Sequence, residues 1–208
     1  LDYVYRVDHF VRPGETLAAS HRAVHAGGKG LNQSLAAARA GAEVLHAGAI
    51  GAEGRFMADL LRESASDVGN DSRLGGNEAP PAMFMVNEIE AAQLAGTDAN
   101  ADFEDTLTAL RAKYPNASGV MTGGADGVLY DGEEGRFQLP AFKVKAVDTT
   151  AAGDTFCGYF LAAVSAGKSV QTALQEASAA SALAVSRTGA APSVPTADEV
   201  REFLRRHA

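Results

Sequence analysis

The stretch from Val147 to Phe160, VDTTAAGDTFCGYF, places the tightest constraint on how this chain can fold. Its opening residues, DTT, have side chains that favour caps and turns, whereas the apolar Phe156, Tyr159 and Phe160 recur at helical spacing. The pattern predicts that a helix begins near Gly153. Because the first N–H groups of a helix have no partners within it, such a start can bind an anion.

Asp154 places a carboxylate in the first turn of that helix, beside the predicted anion site. If the anion is a phosphoryl group in transfer, Asp154 can accept the proton of the attacking hydroxyl while the amides of residues 151–154 stabilise the developing charge. The alternative is that Asp154 only complements the helix dipole, as acids in a first turn commonly do. From these residues alone, the second interpretation is favoured.

The same residues closely resemble the DTxxAGDTF signature of the ribokinase-like, or phosphofructokinase B, sugar kinases. With this resemblance, the interpretation of Asp154 as a proton acceptor becomes the favoured one. It implies that Asp154 is the general base of a kinase and contacts the sugar, and that Ala151, Ala152 and Gly153 form the anion hole. It also implies that Gly153 contacts the nucleotide.

Composition limits the classes of partner. The 208 residues carry a net charge of −8 with a pI near 5.1, so an extended basic surface for nucleic acid or anionic lipid is not expected. Hydrophobic residues make up 46% of the chain, enough for a sizeable core, but no apolar run reaches membrane-spanning length. Cys157 is the single cysteine, so no internal disulfide can form and a cytoplasmic location is expected. We therefore expect small-molecule ligands and neither a nucleic acid nor a membrane partner.

A glycine-rich loop at His25–Gly30, HAGGKG, precedes an alanine-rich helix predicted over Leu31–Arg39. The glycines permit close approach of the backbone to a ligand, beside which Lys29 and Asn32 offer polar groups. The stretch GGKGLNQ is similar to the GGKGxNQ of ribokinases, a narrower pattern than that of the wider family. This similarity implies that Gly28, Lys29 and Asn32 form part of a sugar pocket.

Asp2 lies in the opening strand predicted over Leu1–Val7. A lone early Asp is normally just a residue near a strand end. The opening segment aligns with the first strand of the family, however, and the resemblance implies that Asp2 holds sugar hydroxyls.

A second polar cluster follows the apolar strand predicted over Ala82–Val86. Polar groups at the carboxyl end of a strand lie where open α/β sheets bind ligands, although acids at a helix start are also ordinary caps. The run NEIEAAQL resembles the NxxE motif of the family. That resemblance implies that Asn87 and Glu90 organise Mg2+ next to the phosphates of ATP, often through water.

Glycines also follow the buried-type strand predicted over Gly119–Thr122. Taken alone, GGADG predicts a tight turn before a β-hairpin over residues 128–139. The stretch is similar to the VTxGxxG that lies against the nucleotide in the family. This similarity implies ATP contacts for Thr122, Gly124 and Gly127.

The loop after the helix predicted over Val170–Val185 reads SRTGAAPSVP. Its carbonyl groups would be costly to bury without partners, and a bound cation would pair them. In ribokinases a monovalent-cation site uses this loop and the loop beside the anion hole. The resemblance places the K+ ligands, mostly carbonyl oxygens, at Asp148, Thr150, Ala184, Arg187, Gly189 and Ser193. Ser178 falls where ribokinases often have an Asn near adenine, and this departure leaves the base contacts open.

Strands that alternate with helices favour an α/β fold of three layers, with a mainly parallel sheet covered by helices on both faces. We predict a single ribokinase-like domain over residues 1–208, in which residues 8–25 contribute to a small, incomplete β lid. Residues 64–81 lack periodicity and are predicted to be a loop or a discontinuity, since members of the family are usually considerably longer than this chain.

The resemblance implies an ATP-dependent carbohydrate kinase that uses Mg2+ and K+ and forms a homodimer, with conversion of D-ribose to D-ribose 5-phosphate as the favoured reaction. One alternative is a kinase of the same fold for fructose, a nucleoside or another sugar. A second is a noncatalytic sugar- or nucleotide-binding homologue, which the intact Asp154 disfavours and the missing lid-like segment favours. A dinucleotide oxidoreductase is least favoured, because Gly48–Gly51 lacks the full glycine fingerprint.

Overall fold

Strands and helices alternate in the computed structural model, which describes residues 1–47, 54–64, 66–69, 83–98 and 101–207. The strands are β1 (Asp2–Arg6), β2 (His21–His25), β3 (Val44–Ala47), β4 (Ser66–Gly69), β5 (Met83–Asn87), β6 (Ser118–Thr122), β7 (Val128–Gly132) and β8 (Gly135–Leu139). The helices are α1 (Lys29–Arg39), α2 (Arg55–Glu63), α3 (Glu88–Ala95), α4 (Phe103–Lys113), α5 (Ala152–Ser165), α6 (Val170–Val185) and α7 (Ala197–Arg206). This order agrees with the predicted α/β class.

The described strands form three small sheets. β1 and β2 make an antiparallel ribbon, β3 and β4 make a parallel pair, and β5 to β8 form a four-stranded sheet in chain order. Within the four-stranded sheet only β5 and β6 are parallel. The prediction of a mainly parallel sheet is therefore wrong for the described residues. The connections from β6 to β7 and from β7 to β8 are too short for the crossover that parallel neighbours need, so these strands run antiparallel.

Helices cover both faces of the four-stranded sheet, as predicted. Val120, Val128 and Tyr130 belong to a buried cluster that includes residues of α1, α5 and α6. Met121 and Leu129 belong to a second buried cluster, formed with α3 and α4. Because side chains alternate between the two faces of a strand, consecutive residues of β6 and β7 supply two separate cores.

The β1–β2 ribbon carries large side chains that are about half exposed. Tyr3, Val4 and Tyr5 of β1 are 46%, 50% and 55% exposed. β2 lies at the end of residues 8–25, the segment predicted to contribute to a small β lid. Two strands with exposed faces have little stability of their own, so this ribbon depends on its attachment to the rest of the chain.

Helix α1 packs tightly against α5 at Gly158. A Cβ atom at this position would lie 2.5 Å from the Cβ of Ala36 and 2.6 Å from the carbonyl oxygen of Gln33. Glycine therefore allows the two helices to approach closely enough for polar side chains near their starts to meet. On another side of α5, Ser181 of α6 donates a hydrogen bond to the carbonyl oxygen of Ala152 at 3.2 Å.

Part of the segment predicted as a loop or discontinuity, residues 64–81, is a strand. Residues 66–69 form β4 and pair in parallel with β3, so the loop prediction is wrong there. A four-residue strand, SDVG, is too short and too polar to produce a recognisable period. Residues 48–53, 65 and 70–82 lie outside the described residues, and the predictions made for Gly48–Gly51 and for the start of the strand at Ala82 lie there with them.

Candidate active site

Asp154 lies in the first turn of α5 and receives hydrogen bonds from two side chains of α1. Asn32 Nδ2 donates to Asp154 Oδ2 at 2.9 Å, and Gln33 Nε2 donates to Oδ1 at 3.3 Å. Both carboxylate oxygens are therefore held in one orientation by amide groups from a neighbouring helix. A carboxylate held in one orientation can act as a general base when a hydroxyl group lies within hydrogen-bond reach of it.

Asn32 also presents an acceptor to the same site. Its side chain is buried, and its Oδ1 accepts no hydrogen bond from the described residues. Because buried polar groups are ordinarily paired, this oxygen is suited to accept a hydrogen bond from a ligand hydroxyl.

The start of α5 leaves main-chain N–H groups free beside Asp154. Gly153 N–H and Asp154 N–H have no acceptor among the described residues, whereas Ala152 N–H donates to the carbonyl oxygen of Thr149 at 3.2 Å. Ala151 has φ 60° and ψ 12°, a left-handed conformation that turns the chain into the helix. Apart from its chain neighbours and its own helix backbone, no atom of the described residues lies within 4 Å of the position that a Cβ of Gly153 would occupy, so a ligand can approach the backbone there.

The glycine-rich loop brings Asp2 next to the start of α1. Asp2 pairs with His25 across the ribbon, and a Cβ atom on Gly27 would overlap the Asp2 carboxylate. Gly28 has φ 105°, which favours glycine, and it immediately precedes α1. The Asp2 carboxylate therefore lies beside Gly27, in the loop that also carries Gly28 and Lys29 of the predicted sugar pocket.

Lys29 connects this loop to the predicted Mg2+ motif. Its Nζ lies 3.3 Å from Glu90 Oε1, although the lysine side chain is 79% exposed. Glu90 and Asn87 form a capping box at the start of α3, with the side chain of each bonded to the backbone N–H of the other. The Asn87 N–H, and after it Lys29, lower the pKa of Glu90, while partial burial opposes this shift.

Asn87 and Thr122 lie opposite each other at the carboxyl ends of the parallel strands β5 and β6. This edge of a sheet is where open α/β folds bind ligands. Amide and carboxylate oxygens are the ligand types that Mg2+ accepts, so Asn87 and Glu90 fit a role in holding that ion through water.

The glycines after β6 form the tight turn that the sequence predicts. Gly124 has φ 55° and begins a short 3-10 turn, and Gly127 N–H donates to the Gly124 carbonyl oxygen. Gly127 has φ 92°, and a Cβ there would collide with the backbone at Leu139. The turn therefore carries exposed backbone next to Thr122, the surface that the predicted nucleotide contacts require.

The two loops of the predicted cation site are bonded to each other. Asp148 Oδ2 accepts from Gly189 N–H at 2.9 Å, and Oδ1 accepts from Thr150 N–H at 2.9 Å and from the Thr150 hydroxyl at 2.6 Å. The Thr150 hydroxyl, followed by the Gly189 N–H and the Thr150 N–H, lowers the pKa of Asp148. The carbonyl oxygens of Thr150, Arg187 and Gly189 accept no hydrogen bond from the described residues. Free carbonyl oxygens beside an acidic side chain fit a monovalent cation.

The other predicted cation ligands have partners of their own. The Ala184 carbonyl oxygen accepts from Arg187 N–H at 3.0 Å, and the buried Ser193 hydroxyl donates to the Ala190 carbonyl oxygen at 2.7 Å. The Arg187 side chain points to α7 and pairs with Glu199 at 2.6 Å. Only the main chain of Arg187 therefore faces the predicted site as a possible ligand.

Two residues of the site were not predicted from the sequence. Gln33 bonds to Asp154, and its signal was its place as the last residue of GGKGLNQ. Ser181 bonds to the Ala152 carbonyl oxygen at the helix start, and its only signal was a hydroxyl on a helix face made otherwise of small residues. The side chain of Ser178, the predicted adenine neighbour, makes no hydrogen bond to the described residues.

Cys157 and the histidines add no second centre. Burial, and after it the Asp154 charge, raise the pKa of the Cys157 thiol. Among the described residues, no three His, Cys, Asp or Glu side chains cluster closely enough to hold a metal ion. No helix in the described ranges has the length and apolar character needed to cross a bilayer.

Fold and site together define an α/β protein of ribokinase-like architecture. The profile of the pfkB family carbohydrate kinases matches residues 1–70 and 78–197. The chain belongs to that family, in which binding of ATP is typical.

Individual relatives agree with the family assignment. The chain is 27% identical to the ribokinase of Haemophilus influenzae over 291 positions, covering 98% of this chain and 95% of the relative. It is also 27% identical to the ribokinase of Bacillus subtilis over 282 positions, covering 98% and 96% of the two chains. The crystal structure of the ribokinase of Cryptococcus neoformans with ADP superposes with a TM-score of 0.80 at 25% identity, covering 96% of this chain and 95% of that one.

The relatives are longer than this chain in its interior. The alignment with the H. influenzae protein spans 291 positions, whereas 98% of 208 residues fills about 204 of them, which leaves about 87 positions without a counterpart here. The family match is interrupted between residues 70 and 78. The predicted discontinuity therefore coincides with a break in the family match.

Proposed function

We propose that this protein transfers the γ-phosphoryl group of ATP to the 5-hydroxyl of D-ribose, with Asp154 as the general base. The observation that carries the proposal is the orientation of the Asp154 carboxylate by Asn32 and Gln33 at a helix start where the described residues offer no acceptor to the Gly153 and Asp154 N–H groups. At one helix end, the base can accept the proton of the attacking hydroxyl while the main-chain N–H groups bind the oxygens of the transferred phosphoryl group.

Each group has a distinct task in this proposal. The sugar hydroxyls are bound by Asp2, the Gly28 backbone, Lys29 and Asn32 Oδ1, which accepts no hydrogen bond from the described residues. Asp154 accepts the proton of the attacking hydroxyl, and its two amide donors keep the carboxylate aimed at that proton. The N–H groups of Gly153 and Asp154 stabilise negative charge on the transferred group, while Ala151 and Ala152 shape the turn and Gly153 allows close approach.

The nucleotide and its ions lie on the other side of the helix start in this proposal. Thr122, Gly124 and Gly127 provide backbone contacts to ATP, and Ser178 lies towards the base. When bound, ATP and Mg2+ supply the phosphoryl group and neutralise its charge, and Asn87 and Glu90 orient the ion through water. A K+ ion held by carbonyl oxygens and Asp148 would order the loop that leads into the anion hole.

The choice of ribose depends on similarity. The ribokinases of Haemophilus influenzae and Bacillus subtilis each align with 98% of the chain, and GGKGLNQ matches the sugar-loop pattern of ribokinases. An aminoimidazole riboside kinase of Salmonella typhimurium is 31% identical over 155 residues, so a nucleoside-like acceptor is the leading alternative within the fold. We extend the same similarity to a cytoplasmic location and to a homodimer.

Sugar-dependent release of ADP tests the proposal. Purified protein is incubated with ATP, Mg2+ and K+ and with ribose, fructose or aminoimidazole riboside in parallel, and ADP is quantified. We expect ribose to give the highest kcat/KM and K+ to accelerate the reaction relative to tetramethylammonium. A higher kcat/KM for another acceptor would replace ribose, and equal rates in the two salts would remove the cation from the proposal.

A noncatalytic binding protein is the second candidate, because about 87 positions of the H. influenzae relative have no counterpart in the chain. Calorimetry with ribose and with a nonhydrolysable ATP analogue distinguishes it from the enzyme. Binding of both ligands without ADP release for any sugar would favour that candidate.

A further inference from the structure

We propose that Arg39 is a positioning residue that fixes the loop between α6 and α7, residues 186–196, and through it the Asp148–Thr150 segment in front of the anion hole. The structural part of this proposal is independent of the reaction. Its catalytic consequence rests on the function proposed above.

Arg39 lies in the last turn of α1 and reaches across to this α6–α7 loop. Its Nη1 donates to the carbonyl oxygen of Ala191 at 3.0 Å and to that of Val194. One guanidinium nitrogen thus binds both ends of the short turn Ala191–Ser193. Burial lowers the pKa of Arg39, so a charge already removed from water depends on these carbonyl partners.

Other elements hold the same loop from different directions. Tyr159 of α5 donates its hydroxyl to the carbonyl oxygen of Pro195 at 2.8 Å, and Glu199 of α7 pairs with Arg187 at 2.6 Å. Among the hydrogen bonds of the described residues, only those of Arg39 tie the loop to α1. The arginine therefore makes a connection that the other two anchors do not duplicate.

Hydrogen bonds connect the α6–α7 loop to the start of α5. Gly189 N–H donates to Asp148 Oδ2, and Asp148 Oδ1 in turn holds the hydroxyl and N–H of Thr150, the residue before Ala151. If the loop moves away, the bond from Gly189 to Asp148 is lost and the turn into the anion hole loses one of its supports. Helix α1 thus contacts the candidate base at one end, through Asn32, and supports this turn at the other end, through Arg39.

Hydrogen exchange of the ligand-free protein tests the structural claim. Arg39→Met removes the guanidinium and keeps a long aliphatic stem. Arg62→Met is the matched control, because within the described residues the Arg62 side chain bonds to Asp59 of its own helix, at 2.9 Å, and to no other group. We expect amide exchange in residues 187–195 to become about tenfold faster in Arg39→Met, with the buried amides of α1 and α5 unchanged, and to stay at the wild-type rate in the control. Wild-type exchange in folded Arg39→Met, or equal acceleration throughout α1, α5 and the loop, would overturn the proposal.

Arg39→Lys keeps the test decisive if the methionine variant does not fold. A lysine keeps the charge but not the planar guanidinium that binds two carbonyl groups from one side. We expect loop exchange in Arg39→Lys to rise by about threefold. Exchange equal to wild type in this variant would show that the guanidinium bridge does not hold the loop.

Kinetics of the same variants test the consequence for the reaction. In Arg39→Met we expect the K+ concentration for half-maximal activation to rise about tenfold and kcat to fall, while KM for ribose changes by less than about twofold. Unchanged K+ dependence alongside faster loop exchange would contradict transmission to the anion hole. Faster loop exchange in a protein that releases no ADP with any sugar would count against the proposed function and leave the positioning role standing.

Discussion

The four-stranded sheet and the β1–β2 ribbon both carry residues of the candidate site, but they hold them by different means. Val120, Met121 and Leu129 of the sheet are at most 1% exposed, whereas Tyr5 of the ribbon is 55% exposed. The sheet presents its site residues from strands that are packed on both faces. The ribbon presents Asp2 by a contact with the glycine loop.

This difference predicts where mutations act. Groups supported by the helices and the four-stranded sheet cannot move without disturbing a core, so substitutions there should alter turnover or stability. Groups on the ribbon can move at little cost to the fold, so substitutions there should alter sugar affinity alone. The four experiments below test this division, beginning with the largest expected effect.

Asp154→Asn tests the chemistry on the core side. We expect kcat to fall about 100- to 10,000-fold, the usual contribution of a general base, while ribose and ATP bind almost as in the wild type. Asp198→Asn is the matched control, because Asp198 is also a first-turn acid but lies on α7, away from the site. Steady-state kinetics and calorimetry provide the two readouts, and near-normal turnover in Asp154→Asn would remove it from the base role.

Leu129→Ala and Val4→Thr compare the stability of the two regions directly. Leu129 is 1% exposed in the cluster beneath α3 and α4, so its truncation should lower the free energy of unfolding by about 2–5 kcal/mol. Val4 is half exposed on the ribbon, and its isosteric replacement should cost less than about 0.5 kcal/mol. Denaturant unfolding measures both, and similar losses would contradict the division between core and ribbon.

Gly27→Ala tests whether the ribbon controls sugar affinity. The added methyl would overlap the Asp2 carboxylate and displace it, so we expect KM for ribose to rise about tenfold with little change in unfolding free energy. Gly30→Ala is the control, because no heavy atom lies within 4 Å of its Cβ position. An unchanged KM in Gly27→Ala would exclude Asp2 from the sugar pocket, and a large loss of stability would show that the ribbon is not independent of the core.

Alkylation of Cys157 tests how far the packing of α5 shields this thiol from solvent. We expect the smallest effect in this experiment. Burial, and after it Asp154, raise the pKa of this thiol above its ordinary value of 9.0, so less thiolate is present at pH 8. We expect iodoacetamide to react at least about fivefold more slowly than with a free thiol, and about twofold faster in Asp154→Asn than in the wild type. A rate equal to that of glutathione at the same pH would indicate that α5 is open to solvent at this point.

Local patterns allowed much of the helical structure to be predicted. The bounds of α6 agree with the predicted range Val170–Val185, and α5 begins at Ala152, next to the predicted start near Gly153. These features are set by side chains within a few residues of each other. Sheet pairing depends on contacts between distant segments, so the division into three sheets and the strand at residues 66–69 could not be predicted in the same way.

Residues of the candidate site could be predicted only where they belong to a recognisable motif. Asp154 and Asn32 followed from resemblance, and the structure brings them to 2.9 Å although 122 positions separate them in the chain. Arg39 belongs to no motif, and its contacts with the α6–α7 loop arise only because α1 and that loop pack together. When packing brings a polar group to a partner that is distant in the chain, no pattern of neighbouring residues predicts the contact.

Ala151 is the one described residue other than glycine with a positive φ. An alanine in this region is disfavoured by about 1–2 kcal/mol relative to its usual conformation, and glycine is not. Replacement by glycine would therefore relieve the backbone, whereas any β-branched residue would strain it further. Residue 151 therefore accepts substitution by glycine but not by a β-branched residue. Laboratory evolution of this chain should select glycine there long before valine or threonine.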